Sequence, residues 1–151
     1  MSISEESGLN AARDQAVESS TKAPEQVVFH IKLHEVVQEE VGIRFVSLCS
    51  VDGRSISFMG EQFKGQAQRI SAISSSLLGL SEAFTKESGL GGTMHAAVAA
   101  DVGTVITVRV PSRSRTYVLS VCADSSINMA IALRYALDTS TKVAHVIDRG
   151  P

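Results

Sequence analysis

The spacing of hydrophobic and polar residues divides residues 25–147 into a regular series of predicted elements. Two β-rich runs flank Val51-Asp52-Gly53-Arg54, and an Asp-Gly pair between such runs predicts a hairpin in which both turn residues have positive φ. Links between later strands are also short, which implies antiparallel pairing. The predicted strands are 44–50, 55–59, 94–100, 104–110 and 115–123.

Three helices are predicted around these strands. Residues 25–41 are ambiguous, because Val27, Phe29, Ile31 and Leu33 alternate as in a strand, but the second half has a helical pattern, and we predict a helix. A long helix covers 66–88 and ends at Gly89. Asp124, Ser125 or Ser126 caps a last helix that runs to about Ile147. The order predicts an α+β fold with a five-stranded antiparallel sheet.

The chain ends differ from this central domain. Residues 1–24 are rich in Ser, Glu, Ala and Gln, with few large apolar side chains, and such a segment buries too little surface to become ordered. We therefore predict a flexible N-terminal tail over 1–24, one domain over 25–147, and a frayed C-terminus over 148–151.

The middle helix is too apolar for the surface of a monomer. Its large residues form one stripe, which we expect to face the sheet: Ile70, Ile73, Leu77, Leu80 and Phe84. Roughly 110° away lies a stripe of small residues, which allows another helix to approach closely: Ala72, Ser76, Gly79 and Ala83. That helix is either another helix of the same chain or the middle helix of a second copy, and an antiparallel pair of copies would be two-fold symmetric.

Strand 94–100 follows this helix and is a candidate sheet edge, which invites pairing with a second copy. The flank of the helix near Leu78 competes with the small stripe as the contact face. The predicted dimer interface comprises Ala72, Ser76, Leu78, Gly79, Ala83, Met94, Ala96 and Val98.

Composition narrows the function classes. The net charge is −2, which gives no general attraction to nucleic acid or anionic membranes, and the 5% of aromatic residues poorly supply a base-stacking surface. No apolar run approaches the ~18 residues of a membrane span, and the N-terminus lacks a secretion signal. We expect a cytoplasmic protein with reduced Cys49 and Cys122, since a disulfide would require neighbouring strands and an oxidising compartment.

Motifs for catalysis are weak. Gly89-Leu-Gly-Gly92 precedes a strand and lacks the Lys-Ser/Thr of a phosphate-binding loop. The serines at 74–76 lack the strand–turn–helix setting of a nucleophile. His30 and His34 are four residues apart, but a third metal ligand is not evident. We predict no catalytic residues, no metal and no cofactor.

Arg109, Arg113 and Arg115 crowd one loop and are possible anion-binding residues. Their guanidinium groups could bind a phosphate, a carboxylate or an acidic partner surface. The alternative is a solvated hairpin end whose charges are balanced by nearby acidic residues.

Three segments carry a family resemblance: 47–57, with its Asp-Gly turn, the small-residue helix 70–81, and 119–129, where a strand leads into an Asp…Asn helix start. The chain resembles the roadblock/LC7 family, and within it the bacterial MglB-like proteins. The resemblance implies a sheet with the middle helix on one face and the terminal helices on the other, and dimers formed through the middle helix and third strand. The tail, and serines where the family commonly has alanine, depart from the pattern.

The resemblance also implies a function. We predict a non-catalytic homodimeric regulator or scaffold of a Ras-like small GTPase, with GTPase activation through the partner's own active site. The partner would contact the paired helices at Gln68, Ser71, Ser75 and Glu82. The alternative is a structural adaptor or ligand-sensing module without a GTPase partner, similar to dynein light chains, which recognises its target through the tail or the arginine cluster.

Overall fold

A computed structural model of the chain describes residues 32–35 and 40–149. Residues 32–35 are helical, in agreement with the predicted first helix, but Glu40 and Val41 are not, so the predicted end of that helix at Val41 is wrong. The rest of that helix up to residue 39, the predicted tail and residues 150–151 lie outside the described residues. The strands are β1 (Ile43–Ser50), β2 (Ser55–Met59), β3 (His95–Ala100), β4 (Gly103–Val110) and β5 (Tyr117–Asp124), and the long helices are α1 (Ala67–Glu87) and α2 (Met129–Arg149).

The strands form one antiparallel sheet in the order β2-β1-β5-β4-β3. β5 lies in the middle between β1 and β4, and β2 and β3 form the two edges. Helix α1 covers one face, and α2 covers the other together with Leu33 of the first helical segment. The α+β fold predicted from the sequence is therefore confirmed, as is the edge position of β3.

The β1–β2 hairpin is also confirmed, but its predicted turn is wrong. Gly53 has a φ of 83°, whereas no other residue type has positive φ within 32–35 and 40–149. The Gly53 amide donates to the Ser50 carbonyl at 3.0 Å, and the Ser50 amide donates to the Arg54 carbonyl at 3.0 Å. This is a three-residue loop in which a type I turn leads into a left-handed glycine, so only Gly53 needs that conformation.

The sheet face under α2 is aliphatic. Alternate residues of the three central strands point toward this helix, because successive side chains of a strand alternate between faces. They form one buried cluster with α2: Val46, Leu48, Ile106, Val108, Val110, Leu119, Val121, Ala123, Ala132, Ala136 and Val143. This side contains the main hydrophobic core.

The face under α1 is built from smaller and more polar side chains. Ser47, Ser120 and Thr107 lie opposite one another on β1, β5 and β4, and all three are fully buried. The hydroxyls of Thr107 and Ser120 are hydrogen-bonded at 2.9 Å. Phe45 and Phe58 stack at one end of this face, with ring centroids 5.4 Å apart.

Both ends of α2 differ from the prediction. Asn128, rather than one of residues 124–126, caps the helix, since its side-chain oxygen accepts from the Ile131 amide at 2.9 Å. At the other end the helix continues to Arg149. The Asp148 carboxylate accepts from the Ser112 hydroxyl at 2.8 Å and from the Arg113 amide at 3.0 Å. These hydrogen bonds, led by that of Ser112, lower the pKa of Asp148.

Candidate interaction surface

Helix α1 lies on the sheet rotated about its own axis by roughly 110° from the predicted orientation. Its buried residues are Ser71, Ser74 and Leu78. Three residues of the large apolar stripe are exposed, with Ile73 at 61%, Leu80 at 71% and Phe84 at 74%, and the other two, Ile70 and Leu77, are half-buried. The prediction that this stripe packs on the sheet is therefore wrong.

Small side chains on both α1 and the sheet explain this orientation. The hydroxyls of Ser71 and Ser47 are 3.4 Å apart and hydrogen-bonded, and the Cys49 thiol donates to the Ser71 carbonyl at 3.5 Å. Leu78 packs with Cys49 and Val118 below them. Burial raises the pKa of Cys49 to about 11, with a smaller contribution from the Asp52 carboxylate. The sheet thus contacts this part of the helix through short polar side chains.

The N-terminal half of α1 also holds the β1–β2 turn. The Gln68 side-chain amide donates to the Gly53 carbonyl at 2.7 Å, and its oxygen accepts from the Ser55 amide at 3.1 Å. The Ser75 hydroxyl donates to the Val51 carbonyl. A Cβ added at Gly53 would lie 3.1 Å from the Cα of Ala72, so the turn rests directly on the helix backbone.

These contacts change the interpretation of the predicted partner-binding residues. Ser71 is fully buried, so its prediction as an exposed contact is wrong. Gln68 and Ser75 bind the turn through their side chains, and Glu82 accepts from the Arg109 guanidinium of β4. All four residues therefore have a structural role on the sheet side of α1.

The arginine cluster is divided between the two faces of the sheet. Arg109 pairs with Glu82 of α1, whereas the loop that carries Arg113 is tied to Asp148 of α2. Arg115 is exposed near the end of the same loop. The structure does not bring the three guanidinium groups together around one anion.

The outward side of α1 and the adjoining edge of the sheet form an exposed hydrophobic surface, which we call the apolar face. Met94 just before β3 is 83% exposed, and Val98 within it 44%. The large residues of the face are Ile73, Leu80, Phe84, Leu90, Met94 and Val98. Monomeric proteins rarely expose a large contiguous apolar patch without a binding role.

The predicted interface residues fall into two groups. Ala72, Ser76, Gly79 and Ala83 are exposed beside the large residues of the apolar face, as are Met94 and Val98. Leu78 and Ala96 are buried against the sheet, with 3% and 9% exposure. The small stripe is therefore exposed, whereas the flank at Leu78 is buried. The large stripe beside it was missed.

The two cysteines lie on neighbouring strands but remain free thiols. Cys49 of β1 is opposite Val118, whereas Cys122 of β5 is opposite Phe45. This four-residue offset separates them by roughly 13 Å along the strands, too far for a disulfide.

In the described part of the chain, no three His, Cys, Asp or Glu side chains are grouped so that they could hold a metal ion. No helix among these residues is long and apolar enough to cross a membrane.

The sequence matches no protein-family model and no curated protein, but solved structures share the fold. Myxococcus xanthus MglB aligns with a TM-score of 0.67 at 14% identity, covering 80% of this chain and 90% of that one. A roadblock/LC7 domain from Streptomyces avermitilis aligns with a TM-score of 0.66 at 18% identity, covering 78% of this chain and 96% of that one. An MglB with a tetrameric arrangement aligns with a TM-score of 0.68 at 12% identity, covering 80% of this chain and 91% of that one.

These alignments define the class of protein at the level of fold: the chain has the roadblock/LC7 fold. The particular proteins that share it include MglB, so the structure is MglB-like. The resemblance seen in the sequence is confirmed at this level.

Proposed function

We propose that this chain is a non-catalytic, homodimeric regulator or scaffold of a Ras-like small GTPase in the cytoplasm. The apolar face is the observation that carries the proposal. Burying large apolar side chains stabilises association by about 1.5–3 kcal/mol for each side chain fully removed from water. A chain that keeps Leu80, Phe84 and Met94 in water gains this free energy only by binding a partner.

A second copy of the chain fits this face. Gln68 and Ser75 hold the β1–β2 turn on one side of α1, and the large stripe lies on the other side, toward β3, so the large residues of two copies can pack on one another. β3 adds an open edge to the same surface, where a symmetry mate can extend the sheet. The tetrameric arrangement of an MglB with the same fold is consistent with such association.

The GTPase in turn would dock on the paired α1 helices and the β1–β2 turns that they hold. Val51 is 55% exposed at this turn, and Arg54 is exposed beside it. Gln68 and Ser75 fix the turn on α1, so dimer formation would present two turns in a defined geometry. Similarity of fold to MglB supports this choice of partner.

Solution mass tests the dimer. Leu80→Glu places a charge in the apolar face and should convert a dimer to a monomer at micromolar concentration, as measured by light scattering after gel filtration. Ile131→Glu is the matched control, because Ile131 is 52% exposed on α2 at the opposite face of the sheet. A monomeric wild-type protein would contradict the proposal.

Measurement of phosphate release tests whether this chain regulates a small GTPase. Ras-like small GTPases from the same genome should bind the wild-type protein, and one should hydrolyse GTP faster in its presence but not with Leu80→Glu. A stable dimer that neither binds nor affects any of them would favour an adaptor without a GTPase partner.

A further inference from the structure

One end of the sheet is rich in positive side chains. We call it the turn end, because the β1–β2 turn (51–54), the β4–β5 loop (111–116) and the last two residues of α2 (148–149) meet there. Tyr117 after the loop lies opposite Ser50 before the turn, and Asp148 of α2 binds the loop. These three segments contain four cations and two anions: Arg54, Arg113, Arg115, Arg149, Asp52 and Asp148.

The opposite end of the sheet has the reverse balance of charge. The links at that end are 40–42 before β1, 60–66 after β2, 101–102 between β3 and β4, and 125–128 after β5. They contain three anions and one cation: Glu40, Glu61, Asp101 and Lys64. Positive charge is therefore concentrated at the turn end, although the whole chain has a net charge of −2.

Both carboxylates of the turn end already have partners. Asp148 binds the β4–β5 loop, as described above. Asp52 accepts from the Ser50 hydroxyl and pairs with Arg54 at 3.7 Å. Three exposed cations of this end form no ion pair with another described residue, and we call them the basic rim: Arg113, Arg115 and Arg149.

The hydrogen bonds that hold the β4–β5 loop do not involve its arginine side chains. Asp148 binds the Ser112 hydroxyl and the Arg113 backbone amide, which leaves the guanidinium groups of Arg113 and Arg115 exposed. A loop that is ordered before binding loses less entropy when it binds. Arg149, in contrast, also stabilises α2, because a cation at the C-terminus of a helix interacts favourably with the helix dipole.

We propose that the basic rim binds an acidic surface of the partner GTPase. Guanidinium groups bind carboxylates through paired, charge-assisted hydrogen bonds. The rim adjoins the β1–β2 turn, so the inference rests on the GTPase docking proposed above and adds the chemistry of the partner's contact surface. Asp52 lies among the cations and Val51 is 55% exposed beside them, and this mixed surface fits a protein better than the uniform negative charge of nucleic acid or of an anionic membrane.

Reversal of both loop charges tests the basic rim. The double variant Arg113→Glu/Arg115→Glu should associate with the GTPase identified by phosphate release at least about tenfold more slowly than the wild type at about 0.01 M salt. The difference should shrink near 1 M salt, where charges act over only about 3 Å. Stopped-flow measurement over this salt range gives both results. The matched control is Arg134→Glu/Lys142→Glu, which makes the same change of net charge at exposed positions of α2 away from the turn end, and its association rate should stay close to that of the wild type.

Three results would overturn the proposal in different ways. Equal slowing by both double variants would show a general effect of net charge. A rim variant that binds the GTPase like the wild type but no longer binds phosphatidylserine vesicles would assign the rim to an anionic membrane. Both of these results would leave the proposed function intact. If no small GTPase binds the wild-type protein, the proposed function itself fails, and the basic rim loses its partner with it.

Discussion

The two faces of the sheet hold their helices in different ways. Under α2, Leu119 and Val121 belong to a continuous aliphatic core. Under α1, their neighbour Ser120 lies in a row of buried hydroxyls with Ser47 and Thr107. The α2 side therefore buries the large apolar residues that stabilise the fold. The α1 side instead holds a helix through contacts between small side chains, which leaves the large residues of that helix exposed.

The largest expected effect comes from truncating the aliphatic face. Leu119 and Ser120 are adjacent on β5 and fully buried, but they point to opposite faces. Leu119→Ala should lower the free energy of unfolding by about 2–5 kcal/mol through lost burial and a cavity. Ser120→Ala removes one hydrogen bond and should cost about 1 kcal/mol. Urea unfolding measures both, and equal losses would remove the distinction between the faces.

The α1 side should respond more to added volume than to lost volume. Ser71→Leu inserts a large side chain where α1 touches Ser47, and it should destabilise the protein by about 1–3 kcal/mol. Ser71→Ala should cost no more than about 1 kcal/mol. Ser76→Leu, at an exposed position of the same helix, serves as the control and should leave the fold intact. Stabilisation by Ser71→Leu would show that the contact is loosely packed.

The smallest expected effect is a difference in reactivity between the two thiols on the α1 side, Cys49 and Cys122. Burial disfavours the charged thiolate, so the pKa of Cys49 rises to about 11, and only about one thiol in a thousand is ionised at pH 8. Cys122 is partly exposed, although burial also raises its pKa. Ellman's reagent should label Cys122 first in the folded protein, with Cys49→Ser and Cys122→Ser isolating each signal. Equally fast labelling of Cys49 would indicate that α1 opens readily.

Strand positions were predictable from the sequence, but the orientation of α1 was not. A helical wheel gives the relative positions of Ile73 and Ser71 but not which of them faces the sheet. The assumption that large apolar residues face inward failed because the sheet face under α1 has small and partly polar side chains where the helix touches it. Alternation along β5 contained the missing signal, since Val118, Ser120 and Cys122 form a smaller, more polar face than Leu119, Val121 and Ala123.

The candidate site was only partly predictable for the same reason. The small stripe and the edge strand were identified, whereas Ile73, Leu80 and Phe84 were assigned to the core. The hydrogen bonds of Gln68 with the β1–β2 turn depend on how that turn docks on α1. Local sequence does not encode this long-range placement, so the residue was interpreted as a partner contact.

The remaining edge of the sheet bears on the size of any assembly. β2 is only five residues long, its pairing with β1 is interrupted between Leu48 and Cys49, and Gly60 ends it with a φ of 140°. Short, irregular edges discourage the addition of further strands. Copies joined through β3 would have only β2 edges at their two ends, so such a joined sheet would not be expected to grow further by strand addition.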